Sequence, residues 1–427
     1  MKSVYDIFAE RGFIEQVTDE AELRALLQKE SITCYIGFDP TAKSLHIGSL
    51  VPIMALMHMQ KYGHRPIVLI GGGTGLIGDP SGKSEMRQIL TRHEIDVNVS
   101  FLQKQLATYI DFAKAQAILL NNAEWLTELN YIEFLRDIGR HFSVNKMLAA
   151  ESYRMRLETG LNFIEFNYML LQAYDYLYLF RNYGCVFQMG GNDQWGNMLA
   201  GSDLIRRMEG KNVFSMTFPL ITTSHGYKMG KTEKGTVWLE AELTSPYEYY
   251  QYWINTEDYD VERFLALFTF LPMEEIKEVR KLADSRLNMA KAVLAFEATR
   301  ITHGRKAAVA AWRASATAFN TRSVERDILP SSNISREGAT RDLSAVPSTK
   351  KTRSELEKGI PAFELAHSAG LAGSKGEARR LIAQGGLYIN DRPIERFDEN
   401  IDIHSLNEHG EIHLRKGKKK HVVLTVE

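Results

Sequence analysis

Two short segments of the sequence contain residue types that bind phosphate. The first, YIGFDPTAKSLHIGS at 35–49, passes from a strand-like to a helix-like pattern, so His46 and Gly48 lie at or near a helix N-terminus. Free N–H groups and the positive end of the helix dipole favour an anion there. A glycine also lets the backbone approach a nucleotide closely. Taken alone, a histidine in this place is more often structural.

The second segment, GYKMGKT at 226–232, sets Lys228 and Lys231 three residues apart in a glycine-containing loop. Such a loop can close cations over a triphosphate, whose charge rises in the transition state. As an isolated motif, the two lysines are an ordinary surface pair. Together with the first segment, they predict a nucleotide site.

Tyr168, Gln172 and Asp175 are spaced four and three residues apart. This spacing places a hydroxyl, an amide and a carboxylate on one face of a helix. The pattern predicts a polar pocket for a small molecule. The alternative is that Tyr168 and Gln172 are half-buried helix residues without a ligand.

Two common nucleotide motifs are nearly matched. Residues 73–78 fit the dinucleotide pattern GxGxxG, but no acidic residue ends a second strand about 20 residues later, as that fold requires. Residues 77–84 approach the P-loop pattern, whose first position must be glycine and is Ile77 here. Neither motif therefore accounts for the chain.

The elements that must position these residues are short apolar runs at 32–38, 66–70 and 185–189, with a helix predicted over 45–62. Such runs are typical of strands that are buried on both faces of a parallel sheet. Glycines follow the second and third runs directly. Because doubly wound folds bind ligands at the carboxyl ends of their strands, we expect a Rossmann-type doubly wound parallel α/β sheet.

Beyond residue 245 the pattern becomes helical, with apolar residues recurring over 249–270 and a helix over 287–303 that ends at Gly304. Residues 320–362 contain no Phe, Tyr or Trp and resemble a linker. We therefore predict four regions, namely a Rossmann-type catalytic domain at 1–225, a loop and helical domain at 226–320, a linker at 321–360 and a small α+β domain at 361–427.

The last of these regions carries two cationic clusters. Ser374 and Glu377 form a predicted capping box, and the helix that they begin carries Lys375, Arg379 and Arg380 on one side. Residues 415–421 add a second basic run. A solvated face is the common explanation of one such cluster, but two in a small unit favour contact with a phosphate backbone.

The composition excludes several classes of protein. With 427 residues, 44% hydrophobic and 25% charged, and a formal net charge of −1, the chain is neither disordered nor uniformly basic. Its two cysteines are too few for a disulfide framework and lack the spacing of a zinc site. No signal peptide or membrane helix is recognisable, so we expect a cytoplasmic protein with no membrane partner.

The motifs resemble those of a known family. Residues 35–50 and 228–232 resemble the HIGH and KMSKS signatures of class I aminoacyl-tRNA synthetases. Further segments are similar to the tyrosyl-tRNA synthetases of the bacterial type, namely 71–83, 166–175 and 188–197. The unit after residue 361 resembles the S4-like RNA-binding domain of the same family. Ser49 departs from the final His or Asn of the first signature, and Met229, Gly230 and Thr232 depart from the strict second one.

The resemblance implies a role for each matching position. Tyrosine would be bound through its phenol and ammonium groups by Tyr35, Asp175, Asp79, Tyr168, Gln172 and Gln188. The ATP side would comprise Asp39, Thr41, His46, Gly48, Ser49, Gly191, Asp193, Gln194 and Lys231. Thr41 and His46 would act in catalysis with four cations that approach pyrophosphate, Lys83, Arg87, Lys228 and Lys231. The tRNA would contact Lys375, Arg379 and Arg380.

The implied activity is that of a tyrosine–tRNA ligase, which forms tyrosyl-adenylate from tyrosine and ATP and passes the tyrosyl group to the terminal adenosine of tRNA(Tyr). Mg²⁺ would accompany the ATP phosphates, and no structural metal is expected. A homodimer is implied, through the helical segment at 134–147. A tryptophan-specific sister enzyme and an RNA-binding regulator without catalysis remain as alternatives.

Overall fold

The computed structural model describes residues 2–427 apart from 82–89, 114–115, 223–225, 227–228, 233–234, 320–322, 338–341, 344 and 418–419. The chain forms two compact units. The first comprises Met1–Thr244 with Glu257–Leu282, and the second comprises Ser245–Thr256 with Ala283–Glu427.

The strands are β1 Gln16–Val17, β2 Thr33–Phe38, β3 Arg65–Ile70, β4 Ile118–Asn121, β5 Cys185–Gly191, β6 Phe214–Phe218, β7 Lys231–Thr232, β8 Gly235–Thr236, β9 Ser348–Lys351, β10 Ile360–Pro361, β11 Leu387–Ile389, β12 Arg392–Pro393, β13 Asn400–Ile401, β14 Glu411–Lys416 and β15 Lys420–Val426. The helices are α1 Val4–Arg11, α2 Glu20–Lys29, α3 Leu50–Lys61, α4 Arg92–Leu106, α5 Ala123–Leu126, α6 Tyr131–Asp137, α7 Val144–Leu148, α8 Glu151–Thr159, α9 Phe163–Phe166, α10 Tyr168–Tyr183, α11 Trp195–Glu209, α12 Pro246–Ile254, α13 Val261–Phe268, α14 Met273–Glu278, α15 Asp284–Phe319, α16 Arg353–Lys358, α17 Ala362–Ser368 and α18 Lys375–Ala383.

The first unit is built on a six-stranded sheet with the order β1-β6-β5-β2-β3-β4. All neighbours in it are parallel except β1, which pairs antiparallel with β6. The chain moves from β2 outward through β3 to β4, and then crosses to β5 and β6 on the other side of β2. The strand order therefore reverses between β2 and β5, which makes their carboxyl ends the expected ligand position. The predicted doubly wound fold is confirmed.

Both faces of this sheet are covered. In β3, Ile67 and Leu69 belong to one hydrophobic cluster with residues of α10 and α11, such as Leu177 and Leu204. Val68 and Ile70 point the other way because side chains alternate along a strand, and both are fully buried as well. This two-sided burial explains why the strand sequence RPIVLI is continuously apolar rather than alternating.

In the second unit, α12 packs against the long helix α15. Ser245 begins α12 with a capping box to Glu248, and Pro246 occupies its first turn. The helical pattern at 249–270 is thus two helices, α12 and α13, which lie in different units. The predicted helix end at Gly304 is a break inside α15, where this glycine has φ 81° and ψ 167°.

The C-terminal part of the second unit contains a five-stranded sheet with the order β12-β11-β14-β15-β9. Here β9, at Ser348–Lys351, pairs parallel with β15, and Leu356 of α16 is buried in the same hydrophobic core as Ile412 of β14. Residues 348–358 were expected in a linker because they lack aromatic residues. The structure places Ser348–Lys351 in this sheet through backbone pairing with β15, and Leu356 in the core.

Among the described residues, no helix combines the length and the apolar character that crossing a membrane requires.

Candidate active site

A cavity of about 380 Å³ opens at the carboxyl ends of the parallel strands, where the strand order reverses. Its lining includes the predicted residues of both the tyrosine and the ATP side whose side chains the structure describes: Tyr35, Asp39, Thr41, His46, Gly48, Ser49, Asp79, Tyr168, Gln172, Asp175, Gln188, Gly191, Asp193 and Gln194. Predicted residues from four separate segments of the chain are therefore brought together in one pocket.

Asp175 lies at the buried end of this cavity. Asn122 Nδ2 donates to its Oδ2 at 2.8 Å, and Trp125 Nε1 donates to its Oδ1 at 2.8 Å. Burial raises the pKa of the Asp175 carboxyl to about 7, while these two hydrogen bonds act in the opposite direction. The carboxyl group therefore has a pKa close to neutral pH, and two hydrogen-bond donors fix its position.

Two further polar atoms at this end have no hydrogen-bond partner among the described residues, the Tyr35 hydroxyl and Gln188 Oε1. Both residues are almost fully buried and both line the cavity. Burial, with a smaller effect of the nearby Asp175 carboxylate, raises the pKa of the Tyr35 phenol well above its ordinary value, so the hydroxyl remains a donor. Buried polar groups normally have a hydrogen-bond partner. A ligand hydroxyl beside Tyr35 and Asp175 would provide such a partner.

Asp79 and Asp39 are the next carboxylates toward the opening. Asp79 accepts from the Ser81 backbone N–H at 2.9 Å and from Gln194 Nε2 at 2.7 Å. The Tyr168 hydroxyl, which was predicted to act with Asp79 on an ammonium group, donates to Asp39 Oδ2 at 2.8 Å. Asp39 also accepts from the Thr74 hydroxyl at 2.8 Å. The two predicted subsites are thus connected through Tyr168.

His46 lies at the exposed mouth, where it caps the 3₁₀ turn Ile47–Ser49 that leads into α3. Its Nδ1 accepts the Gly48 backbone N–H at 3.0 Å. In the neutral imidazole the proton then resides on Nε2, which can donate to an anion. Ser49 is half-buried and precedes α3 without a side-chain capping bond.

The two signature segments contact each other. Ile47 N–H donates to Val237 O at 3.0 Å, and Val237 N–H donates to Gly230 O at 3.0 Å. Gly230 has φ 91°, and a Cβ built on it would lie 2.8 Å from Ile47 Cγ2. Only glycine fits this backbone and this approach. Lys231 belongs to β7, whereas Lys83, Arg87 and Lys228 lie outside the described residues.

Three side chains of the site are not among the residues predicted from the sequence, Asn122, Trp125 and Asn197. Asn122 directly follows β4, whose carboxyl end lies at the ligand-binding edge, so the position of a polar residue after an apolar strand was a usable signal. Asn197 lies one helical turn after Asp193 and Gln194. Trp125 gave no such signal, because a tryptophan in a short helix is typical of a core.

The predicted tRNA contacts all lie on α18 in the second unit, and all three are exposed. Lys375 Nζ pairs with Glu364 Oε1 at 2.5 Å. The Arg379 guanidinium lies 4.2 Å from the centre of the Phe363 ring. In the second basic run, Arg415 lies over Tyr388 at 3.8 Å and Lys416 pairs with Glu377 at 2.9 Å.

Comparison with known proteins identifies the class first. The model of the family "tRNA synthetases class I (W and Y)" matches residues 27–320, and the chain belongs to this family. Its relatives then define the branch. The chain is 67% identical over 427 residues, all of both chains, to a tyrosine–tRNA ligase of Syntrophus aciditrophicus (strain SB). It is 61% identical, over 99% of both chains, to one of Desulfosudis oleivorans. Within the family, the chain is a member of the bacterial-type tyrosyl-tRNA synthetases.

Solved structures agree with this assignment. A C-terminally truncated mitochondrial tyrosyl-tRNA synthetase of Aspergillus nidulans superposes with a TM-score of 0.66 at 31% identity, over 73% of this chain and 93% of that one. A tryptophanyl-tRNA synthetase of Plasmodium falciparum shares the fold, with a TM-score of 0.53 at 14% identity.

Proposed function

We propose that the chain activates tyrosine with ATP to form tyrosyl-adenylate and pyrophosphate, and then transfers the tyrosyl group to the 3′-terminal adenosine of tRNA(Tyr). The observation that carries this proposal is the buried end of the cavity. There the Tyr35 hydroxyl, which has no hydrogen-bond partner among the described residues, lines the pocket together with the fixed Asp175 carboxyl. A phenol hydroxyl can accept from Tyr35 and donate to Asp175.

The same pair explains selectivity for tyrosine. Phenylalanine would leave the buried Tyr35 hydroxyl without a ligand partner and would offer no donor to Asp175, and discrimination of tyrosine from phenylalanine by such ligases is itself the standard example of this effect. An indole has no hydroxyl to meet Tyr35 and Asp175, which argues against the tryptophan alternative. The names of the full-length relatives agree with tyrosine as the amino acid.

In the first step, the tyrosine carboxylate attacks the α-phosphorus of ATP, a P–O bond forms, and pyrophosphate leaves with the electron pair of the broken bond. The carboxylate is already a nucleophile, so no general base is needed. We assign the ammonium group to Asp79 and Gln172, and the ribose to Asp193. His46 Nε2–H and Thr41, both at the exposed mouth, would donate to phosphate oxygens. Catalysis then depends on positioning and on stabilising the developing charge.

The leaving pyrophosphate needs cations. We assign this role to Lys231, whose backbone lies in the segment that contacts the first signature, together with Lys83, Arg87 and Lys228 on matching family positions. Mg²⁺ would be held mainly by the ATP phosphates and water, as is usual for this ion. Asp39 and Asp193 are the carboxylates that line the cavity on the proposed nucleotide side.

For the tRNA, we propose that Arg379 and Arg380 on α18 contact its phosphate backbone. Replacing both by alanine should raise the KM for tRNA about tenfold and weaken its salt dependence, while tyrosine-dependent pyrophosphate exchange stays unchanged. Arg353→Ala on α16 is the matched control, because that arginine is also exposed and lies in the same unit. Equal loss of exchange and charging would contradict a separate RNA-binding surface.

We also propose a homodimer formed by the first unit. Large apolar side chains are exposed around the segment predicted for this contact, including Ile132 at 70%, Val144 at 56% and Phe163 at 69%. We infer that the partner subunit covers these side chains in the dimer, since exposed apolar surface is a feature of interaction sites. Ile132→Glu should shift the sedimentation of the protein toward the monomer, whereas Tyr259→Glu, at another exposed apolar residue, should not. A wild-type monomer at micromolar concentration would contradict the proposal. We expect the enzyme to act in the cytoplasm, where tRNA is charged and used.

The test of the activity is exchange of pyrophosphate into ATP, measured separately with tyrosine, tryptophan and phenylalanine. Stimulation by tyrosine alone is expected. Stimulation by tryptophan would support the sister enzyme, and a lack of stimulation by any of the three would support a non-catalytic RNA-binding protein.

A further inference from the structure

A buried amide side chain lies between the two proposed subsites. Asn197, in the first turn of α11, is 1% exposed. Its Nδ2 is close to three acceptors from three segments of the chain, at 3.0 Å from Gln172 Oε1, 3.3 Å from Gln194 Oε1 and 3.4 Å from Ser81 Oγ. One amino group therefore contacts the loop after β3, helix α10 and the turn before α11.

Each of these neighbours leads to a proposed substrate contact. Gln194 Nε2 donates to Asp79 Oδ2 at 2.7 Å and to Asp193 Oδ2 at 3.2 Å. The Ser81 backbone N–H donates to the other oxygen of Asp79 at 2.9 Å. Gln172 is itself a proposed ammonium ligand. Asn197 is thus one hydrogen bond away from groups at both the ammonium and the ribose end.

The polarity of the Asn197 amino group matters because an NH₂ group can only donate. By donating to the oxygens of Gln172 and Gln194, it favours one of the two orientations of each amide. In that orientation the Gln194 nitrogen faces the carboxylates of Asp79 and Asp193. The opposite orientation would turn the Gln194 oxygen toward two carboxylates, which is electrostatically unfavourable in a partly buried site.

We propose that Asn197 is a positioning residue that holds the side-chain amides of Gln172 and Gln194 in their working orientation and thereby links the tyrosine and ATP subsites. This inference rests on the proposed function. Asn197 does not reach the reacting atoms in this role and acts through its two glutamine neighbours.

The first test replaces the amino group alone. Asn197→Asp keeps the size of the side chain but presents an oxygen to the Gln172 and Gln194 oxygens. We expect the KM for tyrosine and the KM for ATP in pyrophosphate exchange each to rise about tenfold, with a smaller change in kcat. Asn197→Ser, which keeps one donor, should have an intermediate effect. Gln251→Ala is the matched control, because it removes a buried amide that bonds Ser315 in the second unit.

Double-mutant cycles separate positioning from a general loss of structure. In a Gln172→Ala background, Asn197→Ala should leave the tyrosine KM unchanged, and in a Gln194→Ala background it should leave the ATP KM unchanged. Full additivity in both backgrounds would overturn the proposal, as would wild-type KM values in Asn197→Asp. Thermal unfolding of each variant identifies misfolded protein. If Asn197→Ala does not fold, Asn197→Ser replaces it in the double-mutant cycles. Failure of the proposed function is distinct, because wild-type protein would then show no tyrosine-dependent exchange.

Discussion

The buried end and the mouth of the cavity hold their polar groups in different ways. At the buried end, Tyr35 and Asp175 are each 2% exposed, and Asp175 is fixed by two donors from a neighbouring segment. At the mouth, Thr41, His46 and Asp193 are exposed to solvent. From Asp175, side-chain hydrogen bonds continue through Asn122 and Thr74 to Asp39 on the nucleotide side.

This difference separates recognition from chemistry. Water cannot replace a lost partner at the buried end, so a wrong ligand leaves polar groups unsatisfied and binding becomes selective. At the mouth water is available, and the groups act on a charged ligand whose charge grows in the transition state. At the mouth, the rate of the reaction therefore depends more on how the glycine-containing segment packs against Ile47 than on the burial of the polar groups.

The largest effect is expected from breaking the buried end. Asp175→Asn places an amide where Asn122 and Trp125 both donate, so at least one donor loses its acceptor. Tyrosine binding, measured by isothermal titration calorimetry, should weaken by about 3 kcal/mol, or roughly a hundredfold. ATP binding measured alone should change little. A loss shared equally by both ligands would show that the two ends are not distinct.

The pH dependence of stability comes next. In the folded protein burial raises the Asp175 pKa from its ordinary value of 3.8 to about 7, so the folded state binds a proton more tightly than the unfolded state. The contribution of Asp175 to the free energy of unfolding is therefore greatest at acid pH. It should fall as the pH rises toward 7, by at most about 1.4 kcal/mol per pH unit, and level off above.

This effect is measured as the difference in unfolding free energy between wild type and Asp175→Asn at pH 5, 6, 7 and 8, which cancels the other titrating groups. A difference that does not change with pH would mean that Asp175 keeps an ordinary pKa.

A change in the segment beside the mouth should lower the rate without affecting tyrosine binding. Gly230→Ala places a Cβ at 2.8 Å from Ile47 Cγ2, at a positive φ. We expect tyrosyl-adenylate formation in single-turnover experiments to slow about tenfold, with an unchanged Kd for tyrosine. Gly210→Ala is the control, since it has a φ of +64° and no atom within 4 Å of the new Cβ. Equal slowing by both variants would show that backbone strain, and not the contact with Ile47, causes the effect.

The smallest effect is expected for an exposed carboxylate. Asp193→Asn removes a charge that water and salt already screen, so the KM for ATP should rise only about threefold and depend on ionic strength. The KM for tyrosine should not change. A loss as large as that of Asp175→Asn would show that the mouth excludes water as completely as the buried end.

Much of the first unit could be predicted because its strands are local and continuous. The apolar runs at 32–38, 66–70 and 185–189 correspond to β2, β3 and β5, and the glycines after the last two runs lie at the ligand-binding edge. The helix face of Tyr168, Gln172 and Asp175 also lines the cavity as expected. These features depend on periodicity, which a single sequence displays.

The rest depends on contacts between distant segments. Nothing in the sequence pairs Trp125 or Asn122 with Asp175, about 50 positions away, and nothing joins Tyr168 to Asp39. The pairing of Ser348–Lys351 with β15 was missed for the same reason, since short polar strands gain their stability from a neighbour. The assigned roles of the site residues stay predictions, and so do the bounds of the four predicted regions.

The most direct test of the buried end is pyrophosphate exchange with tyrosine and with phenylalanine, in wild type and in Tyr35→Phe. We expect the variant to lose kcat/KM for tyrosine by roughly tenfold or more, while the much lower value for phenylalanine stays nearly constant, so that the ratio between the two amino acids falls. An equal loss for both amino acids, with the ratio preserved, would contradict recognition of the phenol hydroxyl by Tyr35.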